Sequence, residues 1–135
     1  MMKRDVPVYL ITGFLESGKT QFLDFTIHQS YFQIPDKTLL ILCEEGEEEY
    51  DEESLKKMNT VIEIIEDPED FNEDTLQMLN KKHQPGRVLV EYNPLWSVDK
   101  FYQTDMPRYW DLAQHIVTVD ASTFQIYMNN MKSLF

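Results

Sequence analysis

Gly13-Phe-Leu-Glu-Ser-Gly-Lys-Thr20 is the stretch on which the reading of this chain turns. It fits the phosphate-binding pattern G-x-x-x-x-G-K-S/T at every fixed position. At ordinary residue frequencies such a match arises by chance in roughly 1 chain in 200 of this size. The flanks add to it. The apolar run Val6-Pro-Val-Tyr-Leu-Ile-Thr12 leads in as a buried strand. From Lys19 onward, Phe22, Leu23, Thr26 and Ile27 are spaced to share one helix face. Strand, glycine loop and helix are what the chemistry requires. Glycines let the backbone turn so that successive N–H groups converge on one concavity. The helix N-terminus adds partial positive charge there. Lys19 is then expected to reach the outer phosphates and the Thr20 hydroxyl to bind a bridging Mg²⁺. The nucleotide-binding residues expected from this loop are Gly13, Phe14, Leu15, Glu16, Ser17, Gly18, Lys19, Thr20 and Gln21. The Glu16 carboxylate should point outward, since a negative group facing phosphates would be repelled.

Around this motif the composition sets bounds. The chain has 135 residues, 42% of them hydrophobic, which suits one domain with a core of its own. No apolar run approaches the ~18 residues of a membrane span, and nothing near Met1 reads as a secretory signal. Cys43 is the only cysteine, which excludes an intramolecular disulfide and an all-cysteine zinc site. A cytoplasmic location is the expectation. The formal charge is −12, which argues against nucleic acid or an anionic membrane as partner. Eight of the ten residues from Glu44 to Glu53 are acidic, and a second cluster runs from Glu63 to Asp74. These acids read first as solvated, partly disordered loop, with weak cation binding as the alternative.

Strand-like runs alternate with helical patterns along the chain. Strands are expected at Val6–Thr12, Thr38–Cys43, Thr60–Ile65, Arg87–Tyr92 and His115–Val119. Continuous apolar stretches such as Leu39–Leu42 and Val88–Val90 suit strands covered on both faces. A helix should begin near Asn72 as N-cap, with Phe71 and Leu76 as a hydrophobic staple, and stop before Gln84-Pro-Gly86. A shorter one is expected from Ser97 through Tyr102. The fold class is therefore α/β: a mostly parallel sheet of P-loop NTPase type, flanked by helices on both faces, with ligand at the strand C-terminal ends. At the end of the chain, Phe124, Tyr127, Met128, Met131, Leu134 and Phe135 form an apolar helical stripe. It either docks on the sheet, belongs to the core of a longer protein, or meets a partner. If left exposed it would favour self-association, with a homodimer as one outcome. Residues 1–135 are accordingly expected to be the N-terminal portion of a longer nucleotide-binding domain.

The stretch from Val6 to Thr20 resembles the opening of the CobW-like GTPases, relatives of the HypB and UreG metallochaperones, usually P-V-x-x-L-T-G-F-L-G-A-G-K-T-T. Cys43-Glu-Glu-Gly-Glu-Glu-Glu-Tyr-Asp51 is similar to the family's N-E-F-G-E-x-x-x-D, with Glu44, Gly46, Glu47 and Asp51 on matching positions. Glu91-Tyr92-Asn93-Pro94 stands where the family has E-S/T-x-G, and only the glutamate is kept. His115-Ile-Val-Thr-Val-Asp-Ala-Ser-Thr-Phe124 resembles V-V-T-V-V-D-A-x-x-F. The likeness spans nearly the whole chain. It implies GTP with Mg²⁺, hydrolysis, and a role in metal handling or maturation of a metalloprotein client. The family's C-x-C-C metal motif has no counterpart, because Glu66-Asp-Pro-Glu-Asp70 lies in its place. The guanine-reading N-K-x-D motif would fall beyond Phe135, so ATP stays open beside GTP.

For individual roles, Lys19 and Glu91 are the catalytic candidates, and Thr20, Glu91 and Asp51 the candidates for Mg²⁺. Glu91 ends its strand, where a carboxylate can hold the ion, orient the attacking water, or simply be solvated. Asp51 resembles the family's switch aspartate. Asp120 reads as a helix cap before it reads as chemistry. His28, His83 and His115 have no metal-ligand neighbour at zinc-site spacing and read as ordinary structure. Cys43 reads as a buried strand-end thiol. Three functions follow: a Mg²⁺-dependent GTPase, a regulatory module that binds nucleotide with little hydrolysis (for which the Tyr92-Asn93-Pro94 departure speaks), and a small-molecule phosphotransferase.

Overall fold

The structure, a computed structural model, describes residues 5–13, 19–43 and 50–118. Five strands form one parallel sheet: β1 (Val6–Thr12), β2 (Thr38–Leu42), β3 (Thr60–Ile64), β4 (Arg87–Glu91) and β5 (Trp110–Val117), in the order β3-β2-β4-β1-β5. The helices are α1 (Lys19–Ile27), α2 (Glu52–Lys57), α3 (Glu73–His83) and α4 (Val98–Gln103).

The period-two alternation of strand side chains divides the core in two. Val8, Leu10, Leu39, Ile41, Val88 and Val90 pack with Phe71, Leu76 and Leu79 at α3 and Phe101 of α4. Ile11, Leu40, Leu42 and Leu89 pack with Phe22, Leu23 and Ile27 of α1 and Leu55 of α2. The helices therefore cover opposite faces, α1 and α2 on one and α3 and α4 on the other. All five residues of β2 and all five of β4 are buried, which is why both read as continuous apolar or near-apolar runs.

Helix starts follow their caps. The Asn72 side chain accepts from Thr75 N at 2.9 Å, and the Ser97 hydroxyl accepts from Asp99 N at 3.2 Å. α3 ends at Gln84, whose φ of 47° is the left-handed turn that stops a helix. Just beyond it, a Cβ on Gly86 would lie 2.4 Å from the Asp36 Cβ, so only glycine fits where these two loops meet.

The structure corrects the expected layout in two places. β5 starts at Trp110 rather than His115. It is an edge strand with Asp111, Ala113 and Val117 exposed and Trp110 and Ile116 buried, and its register against β1 shifts between Val8 and Tyr9. No continuous apolar run marks such a strand. The acidic stretch around Asp51 is not all loop. Asp51 caps α2, Glu52 and Glu53 fill its first turn, and Lys56 and Lys57 its last, a charge order that complements the helix dipole. Glu63, the first acid of the second cluster, falls inside the strand expected at Thr60–Ile65. It lies on β3 and accepts from His83 Nε2 at 2.6 Å and Lys82 Nζ at 3.1 Å, joining β3 to α3. Burial works to raise its pKa, but the His83 and Lys82 bonds outweigh this and hold it below the usual carboxylate range. The apolar stripe from Phe124 to Phe135 and Asp120 lie outside the described residues.

Candidate functional site

Strand order places the site. β1 leads into α1 on one face of the sheet, and its neighbour β4 leads to α4 on the other. Where connections from adjacent strands leave to opposite faces, a crevice opens at the strand C-terminal ends. There Ile11 of β1 pairs with Glu91 of β4. The ladder continues just past the strands: Tyr92 N donates to Ile11 O at 2.9 Å, and Cys43 N donates to Glu91 O at 3.0 Å. Glu91 is thereby pinned by its backbone between β1 and β2.

Gly13 follows β1 with φ 148°, a conformation an L side chain would strain. Its carbonyl accepts from Lys19 Nζ at 2.8 Å, across the mouth of the loop. Lys19 opens α1 and is only 4% exposed. Thr20, the next residue, donates its hydroxyl to Glu91 Oε2 at 3.0 Å. Alternation sends Glu91 to the same sheet face as Leu89, the face that α1 covers, and the residue is 3% exposed. Gln21 is exposed on the outer side of α1. The rest of the loop, Phe14 to Gly18, lies outside the described residues.

A second hydroxyl reaches the same carboxylate. Tyr50 OH donates to Glu91 Oε1 at 2.7 Å. Burial above all, and then the charge of Glu91 and the bond to it, push the Tyr50 phenol well above its ordinary value, so it stays a protonated donor at neutral pH. Sequence reasoning missed Tyr50. The available signal was its place before the N-cap Asp51, with Leu55 at the fourth helical position. This is staple spacing, and both side chains belong to the α1/α2 apolar cluster. Asp51 itself is exposed. Its carboxylate accepts from Glu53 N at 3.1 Å and Ser54 N at 3.5 Å. Thus the structure joins Thr20 to Glu91, ties Lys19 to Gly13, and puts Asp51 on the cap of α2. Glu44 and Glu47 fall outside the described residues.

Tyr92 turns the other way. It belongs to the α3/α4 core at 1% exposure, edge-on to Phe71, Trp96 and Phe101, with its hydroxyl donating to Ser97 O at 2.8 Å. Its bulk does not enter the Glu91 side of the sheet. Asn93 and Pro94 start the turn that follows, with Asn93 Oδ1 accepting from Leu95 N at 2.8 Å.

The histidines are tied into the frame. His115 Nε2 is 2.9 Å from Thr12 Oγ1, and its Nδ1 is 3.0 Å from Tyr102 OH, so it links the residue before Gly13 to α4. Burial lowers its pKa and favours the neutral ring. His28 Nδ1 lies 2.7 Å from Asp24 O and its Nε2 2.5 Å from Ser54 Oγ, tying α1 to α2. Cys43 is fully buried in the α3/α4 core. Among the described residues, no group of three His, Cys, Asp or Glu is gathered. A cavity of about 1090 Å³, lined by Pro7, Asp36, Arg87 and Tyr109 among others, opens at the opposite end of the strands, and none of Gly13, Lys19, Thr20 or Glu91 lines it. Among the described residues, no helix is long and apolar enough to cross a membrane.

A glycine-bearing turn after β1, a lysine and hydroxyl residue opening α1, and a carboxylate ending the adjacent strand are what a nucleotide-binding sheet end needs. The family model for the CobW/HypB/UreG nucleotide-binding domain matches residues 7–134. Neither the comparison with curated proteins nor that with solved structures found a match. On a match over nearly its full length, carried by a parallel sheet of the P-loop NTPase type, the chain belongs to the CobW/HypB/UreG family of nucleotide-binding domains.

Proposed function

We propose that this domain binds GTP together with Mg²⁺ and hydrolyses it, and that the cycle serves metal handling or the maturation of a metalloprotein client in the cytoplasm. The observation that carries the reading is the contact between Thr20 Oγ1 and Glu91 Oε2 at 3.0 Å. It joins the last residue of the glycine motif to the strand-end carboxylate, two hard oxygen donors of the kind Mg²⁺ takes. Thr20 and Glu91 fit that ion and would hold it directly or through water. When bound, it neutralises charge building on the phosphate oxygens. Lys19, whose Nζ donates to Gly13 O at 2.8 Å, supplies a second positive charge to the outer phosphates. The N–H groups of the loop and of the first turn of α1 orient the phosphate chain. Glu91, buried and fixed by its backbone, is placed to orient a water. Asp51 can join the ion only by leaving the amides it caps.

The second reading, binding with little hydrolysis, has one observation in its favour. Pro94 stands where the family has a glycine, and a proline has no N–H to offer a phosphate oxygen. Tyr92 no longer supports that reading, since its ring lies in the opposite core. Competition of GTP against ATP, with turnover measured with and without Mg²⁺, tests both. GTP preference and Mg²⁺-dependent turnover are expected. Binding of GTP without turnover would select the second reading, and equal indifference to both nucleotides would remove the first two together.

A further inference from the structure

We propose that Tyr50 is a positioning residue: its phenol holds one oxygen of Glu91 so that the other stays on Thr20, and it thereby joins the start of α2 to the nucleotide end of the sheet. The inference rests on the Mg²⁺-nucleotide reading above. A glutamate side chain has three rotatable bonds, and the backbone bonds at Cys43 and Tyr92 fix none of them. Two hydroxyl groups do. Thr20 comes from α1 and reaches Oε2; Tyr50 comes from the segment ahead of α2 and reaches Oε1. Tyr50 suits this task because it is itself held. Its ring packs against the apolar cluster shared by α1 and α2. Behind it, the Asp51 carboxylate caps α2, and Ser54 Oγ meets His28 Nε2 at 2.5 Å, which anchors α2 on α1. A donor locked by packing presents its O–H in one place, and the carboxylate is ordered before any ion arrives.

Tyr50→Phe removes the O–H and keeps the ring, so the packing is preserved. The test is GTP binding by calorimetry on the full chain over a Mg²⁺ series, for wild type, Tyr50→Phe, Glu91→Gln and the double variant, with thermal unfolding of each as a check of folding. Without Mg²⁺, Tyr50→Phe should bind GTP as wild type does. It should need about tenfold more Mg²⁺ for the same gain in affinity, because the ion must then freeze a glutamate side chain that the phenol no longer holds. On the Glu91→Gln background the same change should add nothing. An unchanged or lower Mg²⁺ requirement overturns the proposal. So does an equal loss on both backgrounds, which would mark a packing role. If wild-type affinity ignores Mg²⁺ and Thr20→Ala alike, the underlying reading fails, a result distinct from Tyr50→Phe alone being silent.

Discussion

Replacing Tyr92 by serine, the small type its family carries at this place, should damage stability far more than nucleotide binding. The ring is 1% exposed and meets Phe71, Trp96 and Phe101 edge-on, with centroids 5.6 to 5.8 Å away. Truncating a buried aromatic side chain costs about 3–5 kcal/mol. The lost bond to Ser97 O adds about 1 kcal/mol. A loss of about 4–6 kcal/mol is a large share of the roughly 5–15 kcal/mol that holds a domain together. Tyr92→Phe separates the two contributions, since it keeps the ring and should lose only about 1 kcal/mol. Urea unfolding followed by circular dichroism measures both, with the midpoint rather than the slope expected to move. GTP affinity of Tyr92→Phe should match wild type, because the ring lies on the α3/α4 face while Thr20 and Glu91 meet on the other. A serine variant that loses less than about 1 kcal/mol would refute the core placement. A phenylalanine variant with altered GTP affinity would refute the claim that the ring points away from the site. The phenol gives an independent check. Burial chiefly, and then the nearby Cys43, push it up to about 12 from the ordinary 10.0. The folded state therefore keeps a proton that the unfolded chain gives up. The stability this provides is whole below pH 10 and is lost as pH rises through about 12. Tyr92→Phe should decline less steeply than wild type across that window.

Lys19→Ala should abolish measurable GTP binding, a loss of about 1.5–3 kcal/mol or more from one charge-assisted contact, while unfolding shifts by about 1 kcal/mol or less; calorimetry showing unchanged affinity would remove the phosphate-loop reading. Thr20→Ala should weaken only the Mg²⁺-dependent part of binding, and equal losses with and without the ion would contradict its role. Gly86→Ala should cost about 1–3 kcal/mol, because the new methyl meets the Asp36 Cβ rather than the tip of a flexible side chain; a neutral effect in urea unfolding would show that the two loops separate freely. His115 has its pKa lowered by burial, so its contribution to stability is present above the ordinary 6.5 and is lost as pH falls through the folded value; His115→Gln should flatten the acid side of the stability profile, which pH-dependent unfolding would detect.

The sequence alone determined the parts of this protein that are written locally. The glycine motif, the strands at Val6–Thr12 and Arg87–Glu91, the Asn72 and Ser97 caps and the stop at Gln84 each depend on residues within a turn or two of one another. Such signals survive in a single chain because backbone geometry and hydrogen bonding act over the same short range. Where a local signal was diluted it was misread: β5 alternates at a sheet edge, and α2 is six residues whose caps were hidden in a run of acid. Only the tertiary structure decided what meets what. Thr20 and Glu91 are 71 positions apart, Tyr50 and Glu91 are 41 apart, and Thr12 and His115 are 103 apart. A parallel sheet inserts β4 between β1 and β2, and nothing local encodes that order. The period-two pattern says that Leu89 and Glu91 share a face and that Tyr92 takes the other, but not which helices cover each face. That choice sent Tyr92 into a core and put Tyr50 on the carboxylate, because the long crossovers, not the strands themselves, set which side each helix packs against.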